Sequence, residues 1–231
     1  MSGDKKFSCC VIVPAFNEAD RIGPVLAGVR LHGIDLVVVD DGSTDRTAEI
    51  ARDQGAVVLR HEVNRGKGAS LMTAFRYTRD KKYDVVITID ADGQHDPAAI
   101  PKFLAAYGRS KIPVLIGNRM WDLKKIPAVR RWTNRAMSSL LSRIMRAYLP
   151  DTQCGYRLFR ADILPFVPVE SPRFAMESEI LLHLASRGFR MDSVRIPVVY
   201  SGQASRIRPF SDGARFLSML LRHRFKNRVR H

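Results

Sequence analysis

The chain is poor in cysteine and in long uncharged stretches. Its three cysteines, Cys9, Cys10 and Cys154, give neither a disulfide framework nor metal-ligand spacing, so we expect free thiols in a reducing compartment. The longest uncharged stretch is the eleven residues from Phe7 to Asn17, whereas a bilayer-spanning helix needs about 20. That stretch contains Pro14 and lacks a small-residue cleavage site. We therefore expect neither a transmembrane helix nor a signal peptide.

Two glycine-rich nucleotide-binding motifs are also missing. No Gly-x-Gly-x-x-Gly occurs, and Asn-Arg-Gly-Lys-Gly at residues 64–68 lacks the spacing Gly-x-x-x-x-Gly-Lys-Ser/Thr. The sequence therefore supports neither a dinucleotide-binding fold nor a kinase-type ATP site. Within residues 64–68, Arg65 and Lys67 still offer positive charge beside glycines that let a ligand approach the backbone.

Acidic residues are too few to balance the basic ones, and the formal net charge is +15. Residues 119–146 hold eight basic residues and one acid, and residues 206–231 hold the same numbers, so these segments carry 14 of the 15 charges. Nucleic acid, an anionic membrane or a phosphate-bearing substrate would fit such patches. Because no nucleic-acid-binding module is present, we expect no nucleic-acid partner, and a basic nucleic-acid-binding protein is the weaker alternative.

Strand-like and helix-like segments alternate through the first ninety residues. Alternation of this kind predicts an α/β fold with a mostly parallel sheet and helices on both faces. The length and the 45% hydrophobic content favour one catalytic domain, residues 1–209, followed by a short C-terminal element. The predicted strands are 8–13, 36–39, 56–60 and 85–89, and the predicted helices are 18–31, 44–54 and 67–78.

Three predicted strands end in polar segments, at residues 14–18, 40–45 and 90–97. Open α/β sheets bind ligands at the carboxyl ends of their strands. Asp90 and Asp92 offer carboxylate oxygens, which suit a hard cation such as Mg²⁺ or Mn²⁺. A plain solvated turn is the alternative for this pair. Residues 40–45 could likewise be only a turn, with Ser43 or Thr44 capping the next helix.

Four of these segments together resemble family 2 glycosyltransferases of the GT-A fold. They are residues 14–18 (Pro-Ala-Phe-Asn-Glu), 40–45 (Asp-Asp-Gly-Ser-Thr-Asp), 64–68 and 90–97 (Asp-Ala-Asp-Gly-Gln-His-Asp-Pro). Further motifs are similar to the branch containing dolichol-phosphate mannosyltransferase and other polyprenyl-phosphate glycosyltransferases. These motifs are Gly-Asn-Arg at 117–119, Asp-Thr-Gln-Cys-Gly-Tyr-Arg at 151–157 and Phe-Ala-Met-Glu at 174–177.

The resemblance implies inverting, single-step transfer of a hexose from a nucleotide-diphosphate sugar to a polyprenyl phosphate, dolichyl or undecaprenyl. The donor would be of the GDP-mannose or UDP-glucose type, and the cofactor Mg²⁺ or Mn²⁺. The implied metal ligands are Asp90, Asp92 and Gln94. The implied donor-binding residues are Pro14, Phe16, Glu18, Asp40, Asp41, Lys67, Asp90, Ala91 and Arg206. The implied catalytic and acceptor-binding residues are Asp92, Arg119, Arg131 and Glu177.

Three of these assignments have alternatives. Arg130 is placed as well as Arg131 for the acceptor phosphate. Arg208 is the substitute for Arg206, because the loop before Arg206 is one residue longer than the family pattern. Glu177 is expected to orient the reacting groups rather than act as a base, and the other interpretation is that it only favours the first turn of its helix.

The C-terminal segment, residues 210–231, has apolar residues three or four apart and a basic opposite face. We expect an amphipathic helix that binds an anionic membrane surface, which would place the enzyme peripherally on the cytoplasmic face of a membrane. A core-packing helix with a solvated basic tail is the alternative. A soluble sugar or glycan acceptor also stays open, as do the sugar, the nucleotide and the oligomeric state.

Overall fold

A computed structural model describes residues 7–121, 126, 128–167, 175–197, 199 and 220, with side chains left out at 129, 130 and 175. Within these residues, seven strands form one sheet in the order β3-β2-β1-β4-β6-β5-β7. Neighbouring strands are parallel except around β6, which is antiparallel to both β4 and β5. The strands are β1 Cys9–Ala15, β2 Asp35–Asp40, β3 Val57–Arg60, β4 Val85–Thr88, β5 Val114–Asn118, β6 Arg157–Arg160 and β7 Met191–Arg195.

Helices connect most of these strands and cover the sheet. α3 packs against β1 and β2, while α1 and α2 pack against each other and against β2. Two short 3-10 segments, Pro97–Ala99 and Ala161–Phe166, precede α4 and follow β6. The helices are α1 Ala19–Arg30, α2 Thr47–Asp53, α3 Lys67–Arg79, α4 Ile100–Ser110, α5 Ala128–Met145 and α6 Ala175–Ser186.

Strand β1 lies inside the sheet between β2 and β4, and all seven of its residues are buried. Continuous burial is expected of a parallel strand that is covered on both faces, and it explains the unbroken apolar run from Cys9 to Val13. Burying a side chain such as that of Ile12 contributes about 1.5–3 kcal/mol. All three cysteines are buried free thiols, as expected from the sequence. Burial raises the pKa of the Cys9 thiol to about 12, which makes it unreactive.

The mostly parallel sheet and the four strands and three helices predicted in the first half are confirmed, with ends that shift by one to three residues. The predicted cap of α2 is wrong. The helix begins at Thr47 rather than Thr44, and Asp45 accepts hydrogen bonds from the Thr47 amide and hydroxyl. Ser43 instead accepts a hydrogen bond from the Asn17 amide and thereby joins the ends of β1 and β2.

The antiparallel strand β6 brings the preceding loop, residues 151–156, to the end of β4. Thr88 donates a hydrogen bond of 2.7 Å from its hydroxyl to the carbonyl of Gly155. Arg157, the first residue of β6, is 1% exposed. Its guanidinium donates to the carbonyls of Thr152, Cys154 and Glu177 at 2.8–2.9 Å. A buried cation thus joins the loop before β6 to helix α6.

The predicted C-terminal helix, residues 210–231, lies outside the described residues apart from Leu220. Leu220 packs beside Leu141 of α5 and Leu182 of α6. In the described part of the chain, no helix combines the length and apolar character needed to cross a membrane.

Replacing Arg157 with Met should destabilise the fold strongly. Glu177 would lose its buried partner and three carbonyls would lose their donors, so we expect a loss of about 3–5 kcal/mol in the free energy of unfolding. Urea denaturation followed by circular dichroism would measure it. Arg109→Met, at an exposed position in the last turn of α4, is the matched control and should change stability by less than about 0.5 kcal/mol. Equal losses in the two variants would contradict this account.

Candidate active site

The polar ends of β1, β2 and β4 lie side by side, as the parallel register requires. Ala15 pairs with Asp40, and the Asp41 amide donates to the carbonyl of Ala15 at 2.8 Å. Beyond β4, the Ile89 amide donates to the carbonyl of Ile12. The expected gathering of residues 14–18, 40–45 and 90–97 at one edge of the sheet is therefore confirmed.

Asp40 and Asp41, predicted to bind the donor, are both buried and already bonded within the protein. Asp40 accepts from the Ser43 amide, and its other oxygen lies 3.1 Å from Arg60 Nε without hydrogen-bond alignment. Asp41 accepts from His61 Nδ1 at 2.7 Å and from the amides of Arg65 and Gly66. Asp41 therefore shapes the loop that leads into α3. A direct role for either carboxylate in donor binding stays a prediction.

Residues 14–18 present one exposed aromatic ring. Pro14 is buried at the end of β1, whereas Phe16 is 42% exposed. Glu18 is largely buried and forms an ion pair with Arg21 one turn later in α1. Of these three predicted donor contacts, only Phe16 offers a face that a flat base could stack on.

A line of alternating charges crosses the site from β4 to β6, and we call it the Asp90–Arg157 charge chain. Lys67 Nζ lies 2.5 Å from Asp90 Oδ1 and 2.7 Å from Glu177 Oε1. The second oxygen of Glu177 lies 2.8 Å from Arg157 Nη2. Residues distant in sequence, on α3, α6 and the ends of β4 and β6, thus share one ion-pair network.

The ion pairs explain the protonation states in the charge chain. Burial alone would raise the pKa of Asp90, but the Lys67 ammonium and a contact with His95 hold it well below its usual range. Burial would likewise lower the pKa of Lys67, and the carboxylates of Asp90 and Glu177 raise it instead. Asp90 is therefore ionised and Lys67 protonated throughout the neutral pH range.

Gly155 leaves room for this pair. A Cβ at position 155 would lie 2.7 Å from both Asp90 Oδ2 and Lys67 Nζ, closer than any side chain tolerates. His95 closes another side of Asp90, with Nε2 at 3.5 Å from Oδ2 and its ring beside that of Tyr156. Glycine at 155 therefore keeps the space around the Asp90 carboxylate open.

Ala91, Asp92 and Gln94 follow Asp90 in the turn after β4. The Gln94 amide donates to Asp92 Oδ1 at 3.0 Å, and Ala91 is buried. Among the described residues, no three His, Cys, Asp or Glu side chains converge on one point as a complete metal cage. Two carboxylates and an amide oxygen nevertheless fit Mg²⁺ or Mn²⁺, which ligand phosphates commonly complete. The three ligand assignments stay predictions.

Arg119 follows β5 and forms a two-pronged ion pair with Asp151. Its Nε and Nη2 lie 2.8 and 3.1 Å from the two carboxylate oxygens, and Asn134 of α5 donates to the same carboxylate. Although burial opposes both charges, the pairing raises the pKa of Arg119 and lowers that of Asp151. Two of the nitrogens of Arg119 are thus committed to holding it in place.

A groove of about 790 Å³ runs beside this pair, between α5 and residues 146–150. It reaches Met120, the neighbour of Arg119, and Pro150, the neighbour of Asp151. Two exposed aromatic rings flank it, Trp132 at 70% and Tyr148 at 84%. No residue from 128 to 150 is acidic. The charged side chains that line the groove are all basic, and they are Arg135, Arg143 and Arg146.

The structure locates two of the five arginines proposed for phosphate contacts. Arg119 directly precedes Met120, which lines the groove, and Arg131 is half-buried in the first turn of α5. The side chain of Arg130 and all of Arg206 and Arg208 lie outside the described residues. Sequence reasoning gave no role to Asp151, Gly155 or Arg157, and it treated the three groove arginines only as part of the basic segment 119–146. The positions of Asp151, Gly155 and Arg157 depend on the antiparallel β6, which the first-half pattern does not predict.

Comparison with known proteins agrees with this geometry. The family model for glycosyl transferase family 2 matches residues 10–165. This chain is a family 2 glycosyltransferase. The dolichyl-phosphate hexose transferase of Haloferax volcanii is 31% identical to it over 223 residues, which cover 95% of each chain. The undecaprenyl-phosphate mannosyltransferase of Micrococcus luteus is 30% identical over 203 residues, or 82% of each chain.

Solved structures support the GT-A-like fold of this glycosyltransferase. Glucosyl-3-phosphoglycerate synthase of Mycobacterium tuberculosis superposes with a TM-score of 0.74 at 23% identity, covering 94% of this chain and 80% of the other. That enzyme has also been crystallised with Mn²⁺, UDP and its product glucosyl-3-phosphoglycerate. The predicted fold and the predicted class of enzyme are both confirmed.

The ion pair of the glycosyltransferase between Arg119 and Asp151 should make its stability depend on pH. The folded pKa of Asp151 lies below the unfolded value near 3.8, so its stabilisation is full above that pH and is lost as pH falls through the folded value. Asp151→Asn should cost about 1–3 kcal/mol at pH 7, and the difference from wild type should shrink below about pH 4.

Denaturant melts at intervals from pH 7 to pH 3 would measure this dependence. Asp53→Asn, at an exposed position at the end of α2, is the control that makes the same chemical change at a carboxylate that forms no salt bridge with the described residues. A constant difference between Asp151→Asn and wild type across the range would show that the charge of Asp151 does not stabilise the fold.

Proposed function

We propose that this glycosyltransferase moves a hexose from a nucleotide-diphosphate sugar to a polyprenyl phosphate at a membrane surface. The observation that carries the proposal is the groove beside α5, where arginines and exposed aromatic rings meet and which Met120, the residue after Arg119, helps to line. An acceptor that joins a phosphate to a hydrocarbon chain needs both kinds of surface in one place. The names of the relatives from H. volcanii and M. luteus support the same acceptor class.

The donor would lie at the ends of β1, β2 and β4, with Phe16 against its base. Asp90, Asp92 and Gln94 would hold Mg²⁺ or Mn²⁺ against its diphosphate. When bound, such an ion neutralises the charge that develops on the departing nucleoside diphosphate, which is worth several kcal/mol. UDP and Mn²⁺ in the M. tuberculosis enzyme make a nucleotide and a divalent ion reasonable at this edge of the sheet.

The acceptor phosphate would reach the donor through the groove, guided by Arg119, Arg131 and the groove arginines. A lipid phosphate is already ionised at neutral pH and needs no general base. The structure is compatible with this chemistry because Glu177 is bonded to two cations, Lys67 and Arg157. We therefore assign Glu177 an orienting role, and in-line attack on the anomeric carbon would invert its configuration.

The outer face of α5 would hold the enzyme against the bilayer. Leu140 and Ile144 are exposed on α5, Arg143 is exposed between them in sequence, and Trp132 and Arg135 are exposed nearer the start of the helix. Apolar and aromatic side chains mixed with arginines are typical of helices that lie in the membrane interface. This helix would act beside the proposed C-terminal amphipathic segment and would place the groove opening at the lipid headgroups.

Purified protein should label a short polyprenyl phosphate when given the right donor from a panel of labelled UDP- and GDP-sugars with Mg²⁺ or Mn²⁺. Asp92→Ala should lower the rate at least about a hundredfold, because it removes a metal ligand. Parallel reactions would contain 3-phosphoglycerate or no acceptor. Label on phosphoglycerate, or donor hydrolysis with no labelled lipid, would contradict the lipid acceptor and keep the transferase.

Vesicles containing anionic lipid should bind the protein, and Arg143→Glu should weaken the binding. Each basic residue at the surface contributes about 1 kcal/mol, so reversing one charge should cost about 2 kcal/mol, or about thirtyfold in partitioning at low salt. Arg109→Glu on α4 is the matched control and should have little effect. Co-sedimentation with vesicles would give the partition constants.

Tryptophan quenching would then show which face is inserted. The chain has two tryptophans, so Trp121→Phe leaves Trp132 as the single reporter. Brominated lipids should quench Trp132 if α5 lies in the interface. Binding without quenching of Trp132 would assign the membrane contact to another part of the chain.

A further inference from the structure

Lys67 occupies a position that a divalent cation would need. Its ammonium contacts Asp90 Oδ1 at 2.5 Å, an oxygen of a predicted metal ligand, and Glu177 Oε1 at 2.7 Å on the other side. Gly155, which carries no side chain, leaves the space beside these two groups open. An ion that binds Asp90 must therefore compete with Lys67 or sit beside it.

The charges around this position set the strength of metal binding. Asp90, Asp92 and Glu177 bring three negative charges, and Lys67 and Arg157 bring two positive ones. Because the ammonium cancels much of the attraction of the carboxylates, a divalent ion alone meets a nearly neutral site. Its repulsion from a cation a few ångströms away is strong where solvent is partly excluded.

We propose that Lys67 is a built-in counter-ion of the metal site and makes tight metal binding depend on the donor's diphosphate. The proposal rests on the function proposed above, since it takes the donor to be a nucleoside diphosphate sugar. The diphosphate supplies the negative charge that Lys67 otherwise cancels. Lys67 begins α3 on a flexible four-carbon side chain, so it can keep its bond to Glu177 and turn from Asp90 towards the diphosphate.

This arrangement would make Lys67 a positioning residue with two effects. It would keep the carboxylates at the end of β4 from taking up a divalent ion in the absence of donor. It would also couple ion and nucleotide, because an ion that tightens nucleotide binding must itself be bound more tightly when the nucleotide is present. Glu177 takes part in this mechanism, since it would keep its contact with the Lys67 ammonium after the ammonium leaves Asp90.

The test is a titration of the purified protein with Mn²⁺ alone, followed by electron paramagnetic resonance of the free ion. Lys67→Met removes the charge, and Lys67→Gln removes it while keeping an N–H donor for the two carboxylates. Both variants should bind Mn²⁺ about tenfold more tightly than wild type, a change that corresponds to about 1.4 kcal/mol. Lys102→Met, at an exposed lysine of α4, should leave the affinity unchanged.

Two further measurements locate the effect and its coupling. Adding Asp92→Ala to Lys67→Met should abolish the gain, and a gain that survives would place the bound ion elsewhere and overturn the proposal. Mn²⁺ should tighten the binding of UDP or GDP, whichever the enzyme accepts, by a larger factor in wild type than in Lys67→Met. Equal factors would also overturn it.

The Mn²⁺ titration and the transfer assay test the two proposals separately. Mn²⁺ affinity that is unchanged or weaker in both Lys67 variants, with melting temperatures that show a folded protein, would reject the counter-ion and leave the acceptor proposal as it was. Tighter Mn²⁺ binding in an enzyme that does not label a polyprenyl phosphate would support the counter-ion and reject the lipid acceptor.

Discussion

The buried guanidinium of Arg157 holds the two halves of the site together. It donates to carbonyls in the loop before β6 and in α6, and it also pairs with the carboxylate of Glu177. A buried cation is costly unless all of its donors are used, and here the loop and the helix supply the acceptors. Glu177 is fixed by this contact, and through Glu177 the position of Lys67 is fixed as well.

The site combines two kinds of electrostatic surroundings. At the ends of β1, β2 and β4, carboxylates are paired within the protein and shaped by a tight turn and by Gly155. Around α5, Arg135, Arg143 and Arg146 lie beside exposed aromatic rings, and residues 128–150 contain no acidic side chain. A negatively charged donor with a cation and a negatively charged acceptor can thus lie close together without sharing one crowded cluster of like charges.

Much of this was visible in the sequence. The alternating apolar segments predict the parallel half of the sheet, and the positions of residues 14–18, 40–45 and 90–97 after strands predict that they meet. Local pattern was misleading at Thr44, where hydroxyl residues before a helical stretch suggested a cap. Asp45 instead accepts from Thr47 at the start of the helix, and the hydroxyl of Ser43 is bonded to the amide of Asn17, two residues beyond β1.

Side-chain partners were harder to predict than positions. Nothing in residues 64–68 indicates that Lys67 contacts Glu177, which is 110 residues away in sequence. Likewise, the motifs at residues 117–119 and 151–157 do not indicate that Arg119 pairs with Asp151. Such pairs depend on the strand order β4-β6-β5, and the short, mixed segment at β6 carries no periodicity from which an antiparallel insertion could be inferred.

The place of β6 in the sheet also bears on how the molecule reaches its native state. Strands β1, β2 and β3 pair through helical crossovers of modest length, whereas Cys9 of β1 pairs with Val85 of β4, 76 residues further along the chain, and Thr88 must find Gly155, 67 residues further along. Closing so long a loop costs more chain entropy and slows the pairing. The β1–β3 side of the site is therefore set to form early, and Lys67 gains its second carboxylate only when the late strand and α6 have docked.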